Sequence, residues 1–231
     1  MAQIIPAILP ESFQELREKA EIVVHGVSVV QLDICDGKFV PSKTWPYGNK
    51  DDKDFLKILE ETQGLPASDI LDYEIDLMTS DPLSDADAWI RAGASRLIIH
   101  AESTNDLDAL IPRIKEEMTM PGSVAEVDLG VALGSGTPLS IIEKIIPYIS
   151  VVQVMGIKRI GFQHMPFDDS TYKRIEELKN KYPEVLVSVD GGVSKDNASK
   201  LLSAGADRLV IGSAIFESGN PLSTIEYFES L

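Results

Sequence analysis

The chain has a single cysteine, Cys35, so no intrachain disulfide can form. Neither CxxC nor HxxxH spacing occurs, which removes the common sequence signatures of a thiolate or paired-histidine metal site. No Ser-His-Asp arrangement suggests itself. Aromatic residues make up only 6% of the chain, which suits a core of Val, Ile and Leu better than an aromatic recognition surface. Cations are scarce as well. Lys and Arg number 21 against 37 Asp and Glu, giving a net charge of −16 spread along the sequence. Such a surface repels phosphate backbones and anionic lipid, so nucleic acid and membrane are excluded as expected partners. A small phosphate ester remains acceptable, because local backbone dipoles can outweigh the global field. No apolar run is long enough to span a bilayer. The opening Met1-Ala2-Gln3-Ile4-Ile5-Pro6 lacks the basic start and long apolar stretch of a signal peptide. The expectation is a soluble cytoplasmic protein. The sequence admits a homo-oligomer without requiring one.

What is present is a repeat of short β-branched runs and amphipathic stretches. Strands are predicted at Ile4–Leu9, Val27–Ile34, Ile70–Leu77, Arg96–His100, Val124–Leu133, Ser150–Met155, Val185–Asp190 and Arg208–Ile211. Most are continuously apolar, as parallel strands covered on both faces should be. Helices are predicted at Glu11–Val24, Asp54–Glu61, Asp85–Ala92, Leu107–Met118, Leu139–Ile146, Ser170–Lys181, Lys195–Ser203 and Leu222–Leu231. In the first, Phe13, Leu16, Ala20 and Val23 recur at helical spacing. Eight βα units predict an α/β fold, a single (β/α)8 TIM barrel over 1–231, with a doubly wound open sheet as the alternative. His25-Gly26, Ala92-Gly93-Ala94 and Ala204-Gly205-Ala206 mark helix-to-strand turns where glycine supplies the left-handed residue. The longest irregular stretch, Lys38–Lys50, would lie over the catalytic face.

Several polar residues interrupt the apolar strands. Gln31, Asp33 and Cys35 share one face of the second strand. A carboxylate in so apolar a run is costly unless paired. It either serves chemistry or caps the next loop; Asp36, followed by Gly37, reads more simply as a turn residue. Glu74, Asp76 and Met78 share a face of the third strand, which is either a catalytic mouth or a hydrogen-bonded polar layer. Asp190 ends the seventh strand, where barrel enzymes place catalytic residues. Gly191, Gly192, Gly212 and Ser213 follow the last two strands and form a candidate phosphate cradle. The loop after the sixth strand carries Lys158, Arg159 and Gly161, where the cations either meet a phosphate or lie in a solvated turn. His100 closes the fourth strand and is either structural or a substrate contact.

Together these pieces resemble the ribulose-phosphate 3-epimerase family along nearly the whole chain. Pro6-Ala7-Ile8-Leu9 is similar to its Pro-Ser-Ile-Leu start. Leu32-Asp33-Ile34-Cys35-Asp36-Gly37-Lys38-Phe39-Val40-Pro41 is similar to its Leu-Asp-Val-Met-Asp-Gly-His-Phe-Val-Pro signature. Asp76-Leu77-Met78 with Pro82, Val189-Asp190-Gly191-Gly192 and Gly212-Ser213-Ala214-Ile215-Phe216 match its later motifs. The resemblance implies inversion of the carbon beside the ketone of a small phosphorylated sugar. Two aspartates on opposite faces serve as acid and base, and a divalent metal holds the enediolate oxygens. Carried over, the catalytic pair is Asp33 and Asp190.

This chain departs from the family at the metal. The two family histidines are replaced by Gln31 and Asp76, the first-motif serine by Ala7, and a methionine by Cys35. The phosphate loop reads Gly161-Phe162-Gln163-His164 instead of Pro-Gly-Phe-Gly-Gly-Gln. The remaining candidate ligands, Asp33, Asp76, Asp190 and Gln31, offer only oxygen. That set favours Mg²⁺ or Mn²⁺ over Zn²⁺. Alternatively the site works without metal, with a carboxylate holding a proton. Two further readings stay open. One is a non-catalytic phosphosugar-binding barrel. The other is a phosphosugar lyase or decarboxylase, which the absence of a strand lysine disfavours.

Overall fold

In the computed structural model, eight parallel strands close into a barrel in chain order. The structure describes residues 2–48, 52–118, 127–162 and 164–231. The strands are β1 (Gln3–Ile8), β2 (Val29–Cys35), β3 (Asp72–Met78), β4 (Arg96–His100), β5 (Asp128–Leu133), β6 (Val151–Met155), β7 (Leu186–Asp190) and β8 (Arg208–Ile211). Closure comes from β1 pairing with β8, which excludes the open sheet. Around the barrel lie α1 (Phe13–Val23), α2 (Lys53–Leu59), α3 (Pro82–Arg91), α4 (Leu107–Met118), α5 (Ser170–Lys181), α6 (Ala198–Ala204), α7 (Ser213–Phe216) and α8 (Pro221–Glu229). No helix of the described residues is long and apolar enough to cross a membrane.

Local sequence chemistry explains where the helices start. Ser12 caps α1 by accepting from the Glu15 N–H, while the Glu15 carboxylate accepts from Glu11 N–H, an arrangement close to a capping box. Asp81-Pro82 and Asn220-Pro221 open α3 and α8, each pairing a side-chain cap with a proline that lacks the N–H a first turn cannot use. Gly93 and Gly205 are left-handed at the ends of α3 and α6, as expected. Gly26 is not. It packs closely under Leu222 instead, where a Cβ would meet that side chain's Cδ2 at 2.9 Å.

Three expectations need correction. The predicted helix Leu139–Ile146 is two 3₁₀ turns, Leu139–Ile142 and Ile146–Tyr148. Pro147 removes a backbone donor, and the β-branched Ile141, Ile142, Ile145 and Ile146 favour a helix weakly. The short α7, immediately after β8, was not anticipated. The third strand begins at Asp72, leaving the expected Ile70 exposed in the preceding turn. The start of the expected fifth strand, 124–126, lies outside the described residues, as do Lys50 and Gln163 of the two predicted loops.

Strand alternation divides the buried side chains into two sets. Ile4, Ile8, Val30, Leu32, Ile34, Ile75, Leu77, Val152, Val154 and Val189 point outward into one continuous apolar layer beneath the helices. Truncating such a residue to Ala costs about 2–5 kcal/mol. The opposite faces fill the barrel interior, where small apolar clusters such as Ile5, Ala7 and Val210 share space with buried polar residues. Those polar residues define the site.

Candidate active site

Parallel register sets Gln31 opposite Glu74, and Asp33 opposite Asp76, across β2 and β3. Across the barrel, β6 and β7 set Gln153 opposite Ser188 and Met155 opposite Asp190. The result is a cavity of about 330 Å³ at the C-terminal ends of the strands, with Asp33, Asp190, Met78, Met155 and Ala7 among its lining residues. Its rim carries Gly161, Phe162 and His164 after β6, Gly191 and Gly192 after β7, and Gly212 and Ser213 after β8. The volume suits a small ligand.

Three carboxylates, Asp33, Asp76 and Asp190, each offer an oxygen within 4.8 Å of the others, and all three residues are buried. Two buried amides knit them together. Gln31 Nε2 donates to Asp33 Oδ1 at 2.7 Å and to Asp190 Oδ2 at 2.9 Å. Gln153 Nε2 donates to Asp190 Oδ2 at 3.2 Å and to Asp76 Oδ2 at 3.3 Å. His100 Nε2 stands 3.0 Å from Asp76 Oδ1, and Glu102 lies 4.0 Å beyond Nδ1.

Burial and repulsion hold protons on Asp33 and Asp190. Burial, then the charges of Asp190 and Asp76, raise Asp33 well above the usual carboxylate range, with the Gln31 hydrogen bond opposing. Burial and then Asp76 push Asp190 up to about 7; the Gln31 hydrogen bond and His100 pull the other way. Burial by itself would lower His100, but the nearby Asp76 carboxylate, with Glu102, outweighs it, so the imidazole is held above its ordinary value. Burial, then Asp33, pushes the Cys35 thiol upward, which leaves it unreactive as a nucleophile.

The donor set suits a divalent cation. All three carboxylates supply hard oxygen, and the buried amide oxygens of Gln31 and Gln153 have no partner among the described residues. Gln31 turns its nitrogen, not its oxygen, toward Asp33 and Asp190. Rotation of the amide would exchange the two.

Asp36 settles as a turn residue. Its Oδ1 accepts from the Lys38 and Phe39 N–H groups, and its Oδ2 from the Ser80 N–H and hydroxyl, which staples the β2 loop to the end of β3. That β2 loop is anchored at Thr44, which donates to the Asp33 carbonyl and accepts from the Cys35 N–H. It is anchored again at buried Trp45, packed on Phe13, Phe55 and Trp89. Ser42 donates to the Gly161 carbonyl, tying the loop to the one after β6. Gly191 and Gly192 have φ of 95° and 69°, a conformation that side chains resist, and a Cβ on Gly191 would strike Ile157 at 2.8 Å. Asn197 fixes this turn, accepting from the Ser194 N–H and donating to the Gly192 carbonyl.

Asp33, Asp190, Gly161, Gly191, Gly192, Gly212 and Ser213 therefore meet at one cavity, with Asp76 and Gln31 buried beside the two aspartates. Three expected contacts do not reach it. His100 is wholly buried, held between Asp76 and the Phe39 ring at 5.5 Å, and does not line the cavity. Ile157 takes the cavity-facing place beside Lys158 and Arg159. Lys158 is directed to Asp168 at 4.0 Å, and Arg159 stacks over Phe162 at 4.9 Å. Gln153 was missed by sequence reasoning. Its signal was a single amide in the valine run of β6, on the same face as Val151 and Met155.

The sequence profile described as the Ribulose-phosphate 3 epimerase family matches residues 3–216. The chain belongs to this family. Curated ribulose-phosphate 3-epimerases are therefore its relatives, and they are enzymes acting on carbohydrate. That of Bacillus subtilis is 32% identical over 223 residues, covering 94% of this chain and 93% of the relative. The chloroplastic ribulose-5-phosphate-3-epimerase of Arabidopsis thaliana is 32% identical over 218 residues, covering 92% of this chain and 71% of the relative. Among solved structures, KGPDC from Streptococcus mutans superposes with a TM-score of 0.71 at 14% identity, covering 100% of this chain and 96% of that one. A 3-hexulose-6-phosphate synthase gives 0.65 at 17%, covering 100% and 99%. At such identities these structures share the fold with this epimerase-family barrel and carry no further argument.

Proposed function

We propose that the chain is an epimerase of a ketose phosphate, inverting the carbon next to the ketone, with Asp33 and Asp190 as the acid/base pair. The observation that carries this reading is the meeting of both aspartates in one cavity whose rim is built of glycine turns. They approach from β2 and β7, on either side of β1 and β8, so the substrate lies between two carboxyl groups. One removes the proton from one face and the other returns a proton to the opposite face. A buried pair that repels strongly ionises in two steps, which leaves one member protonated and the other ionised, the state inversion requires. The phosphate lies against Gly191, Gly192, Gly212 and Ser213, where bare backbone reaches the ligand closely. The reading takes residues 1–231 as one barrel domain, since strands from the two ends of the chain pair to close it.

Asp33, Asp76 and Asp190 would hold a divalent cation, and oxygen ligands alone favour Mg²⁺ or Mn²⁺ over Zn²⁺. When bound, such an ion supplies Lewis-acid polarisation of the carbonyl. The protein's own contribution is the two protons and the exclusion of water by the β2 loop.

The test is direct. Purified protein with Mn²⁺ and D-ribulose 5-phosphate should yield the carbon-three epimer, and crystals soaked in sulfate should show the anion at the glycine turns. No epimer, or an anion held elsewhere with these turns empty, refutes the reading.

A further inference from the structure

Gln153 is an amide where an apolar residue would pack. It lies in the middle of β6, wholly buried, with Val152 and Val154 facing the helices and Val151 and Met155 sharing its interior face. Its Oε1 has no hydrogen-bond partner among the described residues. A half-satisfied buried amide costs stability relative to an apolar residue of the same size, so the fold itself does not call for it. Its two hydrogen bonds both go to the carboxylate cluster, to Asp76 Oδ2 and Asp190 Oδ2.

The consequence falls on Asp190. Its Oδ2 accepts twice, from Gln31 at 2.9 Å and from Gln153 at 3.2 Å. Its Oδ1 accepts from no side chain or loop N–H among the described residues, and Asp190 lines the cavity. We propose that Gln153 is a positioning residue of the epimerisation: it locks the Asp190 carboxyl plane so that Oδ1 is the oxygen presented to the substrate carbon. Gln31 alone gives Asp190 one donor, on Oδ2, and shares that amide nitrogen with Asp33 Oδ1. The second donor, on β6 next to β7, reaches the same Oδ2 from another direction and fixes it in place. Gln153 does not line the cavity, so it acts through Asp190 and not on the substrate. The inference rests on the acid/base reading above for its chemistry, and on geometry alone for the orientation of Asp190.

The experiment uses Gln153→Leu together with Gln153→Met, which keeps the side-chain length without a donor. Both should fold with a Tm no lower than that of the wild type. With Mn²⁺ and D-ribulose 5-phosphate, kcat should fall about 10–100-fold, as for misplacement of a reacting group by about an ångström, while KM stays within about threefold. Crystals of the variants should show Asp190 turned from its wild-type orientation. A kcat within about twofold of wild type, or a loss shared between kcat and KM with a lowered Tm, overturns the assignment. If the wild type forms no epimer, the functional reading fails by itself. The Asp190 orientation in the variant crystals then decides the role of Gln153, and an unchanged carboxyl rejects it.

Discussion

Two residues apart on β3, the barrel treats buried acids in opposite ways. Glu74 lies at the floor, wholly buried, and its Oε2 accepts from Arg96 at 2.8 Å and Arg208 at 2.6 Å. Arg96 also reaches Asp128 at 2.9 Å, and Arg208 donates to Gln3 at 3.1 Å. Asp76, one layer higher, meets Asp33 and Asp190 instead, with amides and a histidine around it; no lysine or arginine pairs with the three among the described residues. The floor is neutralised by guanidinium groups that hold the strands together. The mouth is left short of cations, so Asp33 and Asp190 retain protons. Uncompensated charge inside a fold is expensive, and it collects where chemistry or a ligand repays it.

Breaking the mouth should have the largest effect. Asp33→Asn and Asp190→Asn keep shape and hydrogen bonding but cannot shuttle a proton. Each should lower kcat for epimerisation by on the order of 10²–10⁴-fold, with Tm unchanged or raised because a buried carboxyl with no cation beside it is gone. Steady-state assays and thermal melts check both halves. A wild-type rate in either variant excludes that residue as an essential acid or base.

Breaking the floor should do the reverse. Glu74→Ala strands the Arg208 guanidinium in the interior, while Arg96 keeps Asp128, and should cost about 3–5 kcal/mol of stability in urea titration. The kcat of the molecules that remain folded should be nearly normal. A floor variant that unfolds no more readily than wild type would mean that the network contributes nothing.

The two regions also separate by pH. Between the ordinary carboxylate value of 3.8 and about 7, folded Asp190 keeps a proton that the unfolded chain has released. Metal-free protein should therefore lose stability as pH rises through that window, and Asp33, shifted in the same direction, adds to the loss. Asp190→Asn should flatten the slope of Tm against pH. An Asp190→Asn slope equal to that of the wild type would contradict the assignment of that proton. The smallest effect is expected outside both regions. Lys158→Ala and Arg159→Ala should change phosphate affinity by no more than about twofold in calorimetry, since exposed cations directed elsewhere contribute little.

Much of this division was legible in the sequence. Asp33 and Asp190 stand out because a carboxylate at the end of an apolar strand needs a reason to be there, and the period of two places Gln31 and Asp76 beside them. Gly191 and Gly192 after β7 and Gly212 after β8 were visible for the same cause, a backbone that must approach something closely. Direction was not legible. Lys158 and Arg159 sit in the right loop, yet Asp168 and Phe162 turn them away, and nothing local in the sequence encodes that choice. His100 was placed at a strand end, but whether it faced ligand or Asp76 depended on barrel packing. Gln153 hid in a valine run because composition treats one amide among four apolar residues as core. The Leu139–Ile146 stretch has helical periodicity and fails as an α-helix on its isoleucines and on Pro147 just beyond it.

The central claim is that the unneutralised mouth moves a proton at carbon three. The most direct measurement is solvent deuterium entering D-ribulose 5-phosphate at that carbon, followed by NMR with the wild-type protein and Mn²⁺. The account predicts exchange at carbon three alone, abolished in Asp33→Asn and in Asp190→Asn while phosphate binding persists. Tight phosphosugar binding with no exchange at carbon three would contradict it and leave a binding barrel in place of an epimerase.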